Sequence, residues 1–359
     1  MENSTGHLNI SKEYLNLSST QAPIPKTSSS ATGLTDTFYI SLFLLYIPGI
    51  VTNLISVTYL SSEARKSRVP TNSLLLMLCT TDFVAVSLSC FWHTSARLEM
   101  PMTYEFCAVK SFFHPLMPLM TGSISLLMAM DRVLAFCKPF YYRTNVNKRM
   151  WFIYVILVLS VMSVICILPH LGYGSLWTAS YRGGKVSYTC SVFTYQTEPS
   201  KKIFHVIYLI VGLLLIAGIV ICNVVVAGAV LLLRHRTMEA QKSVSNQSTV
   251  SRATELKFAL IVGFLAVAFV TSWLPFNVWI LYKLLNVPMD LDVVTNIHLL
   301  GGINYSTDPF VYLIIRKSNR KVLARLFCCR TTLERKVTMS TSINGKSLDI
   351  STINTSNTE

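Results

Sequence analysis

The stretch Met130–Arg149, MDRVLAFCKPFYYRTNVNKR, holds two kinds of chain. Up to Cys137 it is apolar apart from the neighbours Asp131 and Arg132. From Lys138 on it has four cations, Lys138, Arg143, Lys148 and Arg149, and no acid. A charged pair closing an apolar run, followed by a wholly basic loop, is the pattern of a helix leaving a bilayer on its positive side. The rest of the chain repeats it. Of 359 residues, 52% are hydrophobic and 13% charged, about half the charge of an average soluble domain, and mean hydropathy is +0.48. The formal net charge of +14 could suit a nucleic-acid binder, but its cations lie between apolar runs rather than along a soluble face.

Seven runs approach or exceed the roughly 20 residues that a bilayer core requires. Phe38–Leu60, Met150–Leu168 and Phe258–Leu281 carry no charge, and Ile203–Leu233 carries only His205. Ser73–Trp92 contains Asp82, Ser111–Cys137 contains His114, Asp131 and Arg132, and Val293–Ile315 contains His298 and Asp308. Backbone in lipid must satisfy its own hydrogen bonds, so these runs predict an all-α bundle of seven transmembrane helices. The connections 61–72, 138–149 and 234–257, and the segment from Arg316, are the basic ones. The N-terminus is therefore expected outside and the C-terminus in the cytoplasm.

Three regions follow. Residues 1–36 are polar, without the apolar core of a cleavable leader, and carry the sequons at Asn3, Asn9 and Asn16, so they are expected to be an extracellular glycosylated disordered segment. Residues 37–329 are expected to hold the bundle and a short amphipathic eighth helix ending at the acylation candidates Cys328 and Cys329. Residues 330–359 are expected to be a disordered Ser/Thr-rich tail. Cys107 and Cys190 fall on the outer side, where an oxidising compartment favours a disulfide between them.

Polar residues inside spans are costly and mark functional positions. Asn53, Asp82, Thr121, Asn304 and Asp308 could converge into a pocket of oxygen ligands able to hold a sodium ion, or into a network that only joins helices. The histidines are scattered through the sequence, with no metal-ligand spacing, so an enzyme is not expected. Nor is there the internal repeat that many transporters carry.

In order and spacing these residues resemble the rhodopsin-like family of G-protein-coupled receptors across residues 38–329. The motifs are Asn53, LCTTD ending at Asp82, Cys107, MDR with Arg132, SWLP with Trp273 and Pro275, and DPFVY with Asp308, Pro309 and Tyr312. The resemblance implies an extracellular ligand and a heterotrimeric G protein as partners, within a lipid bilayer. It also implies roles for single residues. Asp131 and Glu255 would restrain Arg132 until an agonist swings the sixth span outward. Pro139 and Phe140 would dock the G protein, Trp273 would underlie the ligand, Pro275 would kink the sixth span and Tyr312 would turn inward.

His114 stands where amine receptors carry aspartate, and Gly302 where opsins carry the retinal lysine. The stretches FCKPFYY, LPHLGYGS, CNVVVAGAVLLLRHR and NYSTDPFVYLIIRK resemble prostanoid receptors, which implies a small lipid ligand. The chain departs from that branch at Leu299, where an arginine usually pairs the ligand carboxylate, and at SYTCSVF, Leu159, Pro115 and Pro118. Lys110, His114 and His298, or Arg97 and Lys283, could supply the missing cation, and Tyr188 and Trp273 could also contact ligand.

Overall fold

The computed structural model describes residues 31–66, 70–98, 100, 103–182, 185–240 and 247–315. The sequons, the segment expected to form the amphipathic eighth helix, Cys328, Cys329 and the tail lie outside the described residues. Of Tyr188, Glu255 and Tyr312 only the backbone is described. The chain divides into two units. In the first, Met1–Ser41, the described part is helix from Ala31; the second, Leu42–Glu359, holds everything that follows.

Eight α-helices appear among the described residues: α1 (Ala31–Lys66), α2 (Thr71–Arg97), α3 (Tyr104–Cys137), α4 (Pro139–Asn145), α5 (Lys148–Ile167), α6 (Pro199–Ala240), α7 (Gln247–Leu284) and α8 (Leu291–Ile315). All but the short α4 correspond to expected spans. Six are long and apolar enough to cross a membrane. The seventh, α8, has 25 residues, about 37 Å of helix, which is enough to span a bilayer core. Its polar residues turn inward: Asn304 and Asp308 are almost fully buried, and Ser306 donates to the Leu45 carbonyl of α1 at 3.2 Å.

The boundaries have local causes. Thr103 caps α3 by accepting from the Phe106 amide, and Asn147 caps α5 by accepting from the Met150 amide. Pro139 occupies the first turn of α4, where a missing N–H costs nothing. Pro115 and Pro118 sit within α3 without ending it, and the Tyr208 hydroxyl of α6 donates to the Pro115 carbonyl at 3.1 Å. A hairpin absent from the sequence expectations, β1 (Trp177–Arg182) and β2 (Lys185–Cys190), pairs antiparallel with Trp177 opposite Cys190.

Helix α3 is the inner rod of the bundle. Two thirds (67%) of its most apolar window is buried, against 11% for α5, and it packs against α2, α5, α6 and α7. Glycines allow the closest approaches. A Cβ at Gly302 would lie 2.9 Å from the Tyr46 ring and 3.1 Å from Leu45. Tyr46 is itself buried, so the ring has little room to yield. Gly302→Ala is therefore expected to lower stability by about 1–3 kcal/mol through overpacking, read as a fall in the thermal midpoint of the purified protein.

Candidate functional site: a ligand cavity and the Arg132 cluster

Near the end of the bundle that carries β1 and β2, a cavity of about 240 Å³ opens between α2, α3, α7 and α8. Cys190 closes β2 and is bonded to Cys107 in the first turns of α3, with a Cα–Cα distance of 5.0 Å. The disulfide thus holds the loop 191–193 against the cavity, where Ser191, Val192 and Phe193 join its lining. Phe193 is buried and packs edge-on against Tyr208, Phe276 and Trp279, with ring centroids 5.0–5.8 Å apart.

Four of the five sequence candidates for ligand contact, Lys110, His114, Trp273 and His298, line this one cavity. Tyr188 lies on β2 opposite Ala179 and is not among the lining residues. Arg97 and Lys283 are not among them either, and the Lys283 ammonium rests 3.6 Å over the Tyr195 ring. Lys110 and His114 are four residues apart on α3 and so share a face. The His298 Nδ1 lies 2.8 Å from the Val294 carbonyl. A carbonyl only accepts, so Nδ1 carries the proton and Nε2, across the ring, is an acceptor. Sequence reasoning missed His93, Trp279 and Tyr46, which also line the cavity. His93 stacks on Tyr46 with centroids 5.7 Å apart. His93 sits on α2, His114 on α3 and His298 on α8, and only packing brings the three together.

Below the cavity is a layer of buried polar groups. Thr121 donates to Asp82 at 2.9 Å, and Asn53 donates to the Tyr305 carbonyl at 2.9 Å. Asp308 faces Asp82. One oxygen of each of these carboxylates, and both polar atoms of the Asn304 amide, are buried without a hydrogen-bond partner.

The far end of α3 carries Asp131 and Arg132, both buried and paired with each other. Two residues not singled out from sequence complete the cluster. Thr71, at the start of α2, donates to Asp131 at 2.8 Å and accepts from Arg132. Tyr142, on α4, donates to the other Asp131 oxygen at 2.9 Å. Burial pushes the Tyr142 phenol well up, and the neighbouring Asp131 charge adds to the shift, so the phenol keeps its proton for this bond at neutral pH. Pro139 opens α4, and Phe140 next to it is 86% exposed. Pro275 and Pro309 lie inside α7 and α8.

Residues 37–312 match the family described as "7 transmembrane receptor (rhodopsin family)". The chain belongs to that family. Its members are receptors rather than enzymes, so the protein is a multi-pass G-protein-coupled receptor that answers an extracellular ligand and acts through a G protein. It is 21% identical to the Rattus norvegicus prostaglandin E2 receptor EP2 subtype, over 86% of this chain and 90% of that one. It is 23% identical to the Homo sapiens prostaglandin F2-alpha receptor, over 90% and 89% of the two chains. The fold is similar to squid rhodopsin, with a TM-score of 0.68 at 17% identity, covering 86% of this chain and 89% of that one.

The Cys107–Cys190 bond is expected to be required for the cavity. Cys107→Ala and Cys190→Ala should each abolish surface expression or ligand binding, and the double variant should be no worse than either. A double variant clearly worse than both singles would show that the cysteines act separately.

Proposed function

We propose that this receptor sits in the plasma membrane with its N-terminus outside, binds a small prostanoid-like lipid in the α2–α3–α7–α8 cavity, and couples to a heterotrimeric G protein through the Arg132 face. The carrying observation is the cavity itself. It is walled by Trp92, Phe113, Trp273, Phe276 and Trp279 yet contains an ammonium and three imidazoles, a lining suited to an apolar body with a polar head. The similarity to prostaglandin receptors supports the same ligand class. Leu299, where prostanoid receptors usually carry arginine, favours as a second reading a small ligand outside that class.

In the resting state the Asp131–Arg132 pair, Thr71 and Tyr142 hold the base of α3, with Glu255 on α7 as a further restraint. An agonist beside Trp273 stabilises an arrangement in which α7 swings outward. Arg132 then turns to the G protein, and Pro139 and Phe140 with the basic loop 138–149 form part of the docking face. Phosphorylation of Thr331, Thr332 and Ser340–Ser342 by a receptor kinase would recruit arrestin to the tail. Prostaglandin E2 or prostaglandin F2-alpha should stimulate nucleotide exchange on at least one G protein with wild-type receptor. Arg132→Ala should reach the surface and bind the same compound but lose at least tenfold in exchange rate. Full signalling by Arg132→Ala would refute this use of the arginine, and silence to both compounds would favour the second reading.

The buried polar layer suits a sodium ion. Asp82, Asp308, Asn304 and Thr121 are hard oxygen donors, and the unpartnered carboxylate and amide oxygens would find in the cation the partner that burial otherwise denies them. Sodium there would favour the resting arrangement and weaken agonist binding. Raising sodium from 0 to about 150 mM should reduce agonist affinity in wild type, and Asp82→Asn should abolish the effect. Undiminished sodium sensitivity in Asp82→Asn would move the site elsewhere.

A further inference from the structure

The cavity has a charge imbalance. Lys110 is half-buried within it, and none of the residues lining it is aspartate or glutamate. Among the described residues the salt bridges join Arg132 to Asp131 and Lys201 to Glu198, so neither answers Lys110. Even a half-buried ammonium without an anion loses hydration that nothing replaces, and the deficit is removed by any partner that brings negative charge.

Position adds to charge. Lys110 lies three residues after Cys107 and one turn from His114 on α3. It is therefore near the disulfide end of the cavity, while Trp273 and Phe276, eleven and eight residues before the end of α7 at Leu284, form an apolar wall. A molecule with one charged end and an apolar body fits in one direction only, head toward Lys110 and body against the indole and phenyl rings.

We infer that Lys110 is the anion anchor of the ligand cavity, and that the ligand class is an amphiphilic monocarboxylate whose head is held from α3 rather than from the α8 position now occupied by Leu299. The inference rests on the cavity being the ligand site. His298 contributes specificity: its Nε2 is an acceptor, so it cannot compete for the carboxylate while neutral and would favour a ligand hydroxyl beside it.

The test uses full-length receptor in nanodiscs and reads the thermal midpoint against added prostaglandin E2, oleate and the methyl esters of both. At least one acid should raise the midpoint, and its ester should not. Lys110→Gln should shift the half-maximal acid concentration upward by about tenfold to a hundredfold, the scale of a lost charge-assisted bond, and Lys110→Arg should keep most of the response. Lys110→Met without ligand should be at least as stable as wild type, because it removes an unanswered, half-buried charge. Equal stabilisation by acids and esters, no stabilisation by either acid, or a full acid response in Lys110→Gln overturns the anchor. Loss of the response in Trp279→Ala but not in Lys110→Gln leaves the cavity standing and defeats Lys110 alone. A response indifferent to Lys110, His114 and Trp279 alike defeats the cavity reading itself.

Discussion

Arg132 is a permanent cation placed in a buried site, 4% exposed, at the end of an apolar helix. Removing such a charge from water costs several kcal/mol unless an anion and hydrogen bonds replace the hydration. Asp131 supplies the anion, but neighbours in a helix do not face each other without help. Thr71 and Tyr142 give that help, each fixing one Asp131 oxygen from a different element. The start of α2, the end of α3 and the α4 segment are thereby joined through one carboxylate. A state in which Arg132 points elsewhere must break or rearrange that junction, which is what makes it a switch rather than a strut.

Helix α3 carries the consequences along its length. From Cys107 to Arg132 is 25 residues, about 37 Å of helix. On it in turn lie the disulfide, Lys110 and His114 in the cavity, Thr121 bonded to Asp82, and the Asp131–Arg132 pair. A ligand held at one end and a partner at the other can bias the same helix without any element reaching across the whole bundle. The buried carboxylates lie between them, in the layer where a change in ion occupancy would act on both.

Much of this was legible in the sequence, for definite physical reasons. The spans follow from the cost of polar backbone in lipid, which only long apolar helices avoid. The disulfide follows from two cysteines on the oxidising side. Lys110, His114 and His298 stand out as cations or imidazoles that could answer for the arginine missing at Leu299, and Trp273 through the SWLP motif. What was not legible depends on pairing between distant segments. Thr71 looks like an ordinary residue opening α2, and Tyr142 like an exposed loop aromatic, until α4 folds back under α3. His93 has no neighbour in sequence that marks it, and it joins His114 and His298 only through helix packing.

The junction at Asp131 decides whether Arg132 is a switch. The most direct measurement is ligand-free nucleotide exchange on the G protein, at matched surface expression, by receptor carrying Tyr142→Phe together with Thr71→Val. Each substitution removes a bond to Asp131 worth about 0.5–1.5 kcal/mol, and a shift of about 1.4 kcal/mol changes the ratio of states tenfold. Basal exchange several times that of wild type is the predicted result. Basal exchange equal to that of wild type, in a variant that still responds to agonist, would contradict it and leave Thr71 and Tyr142 as bystanders to the arginine.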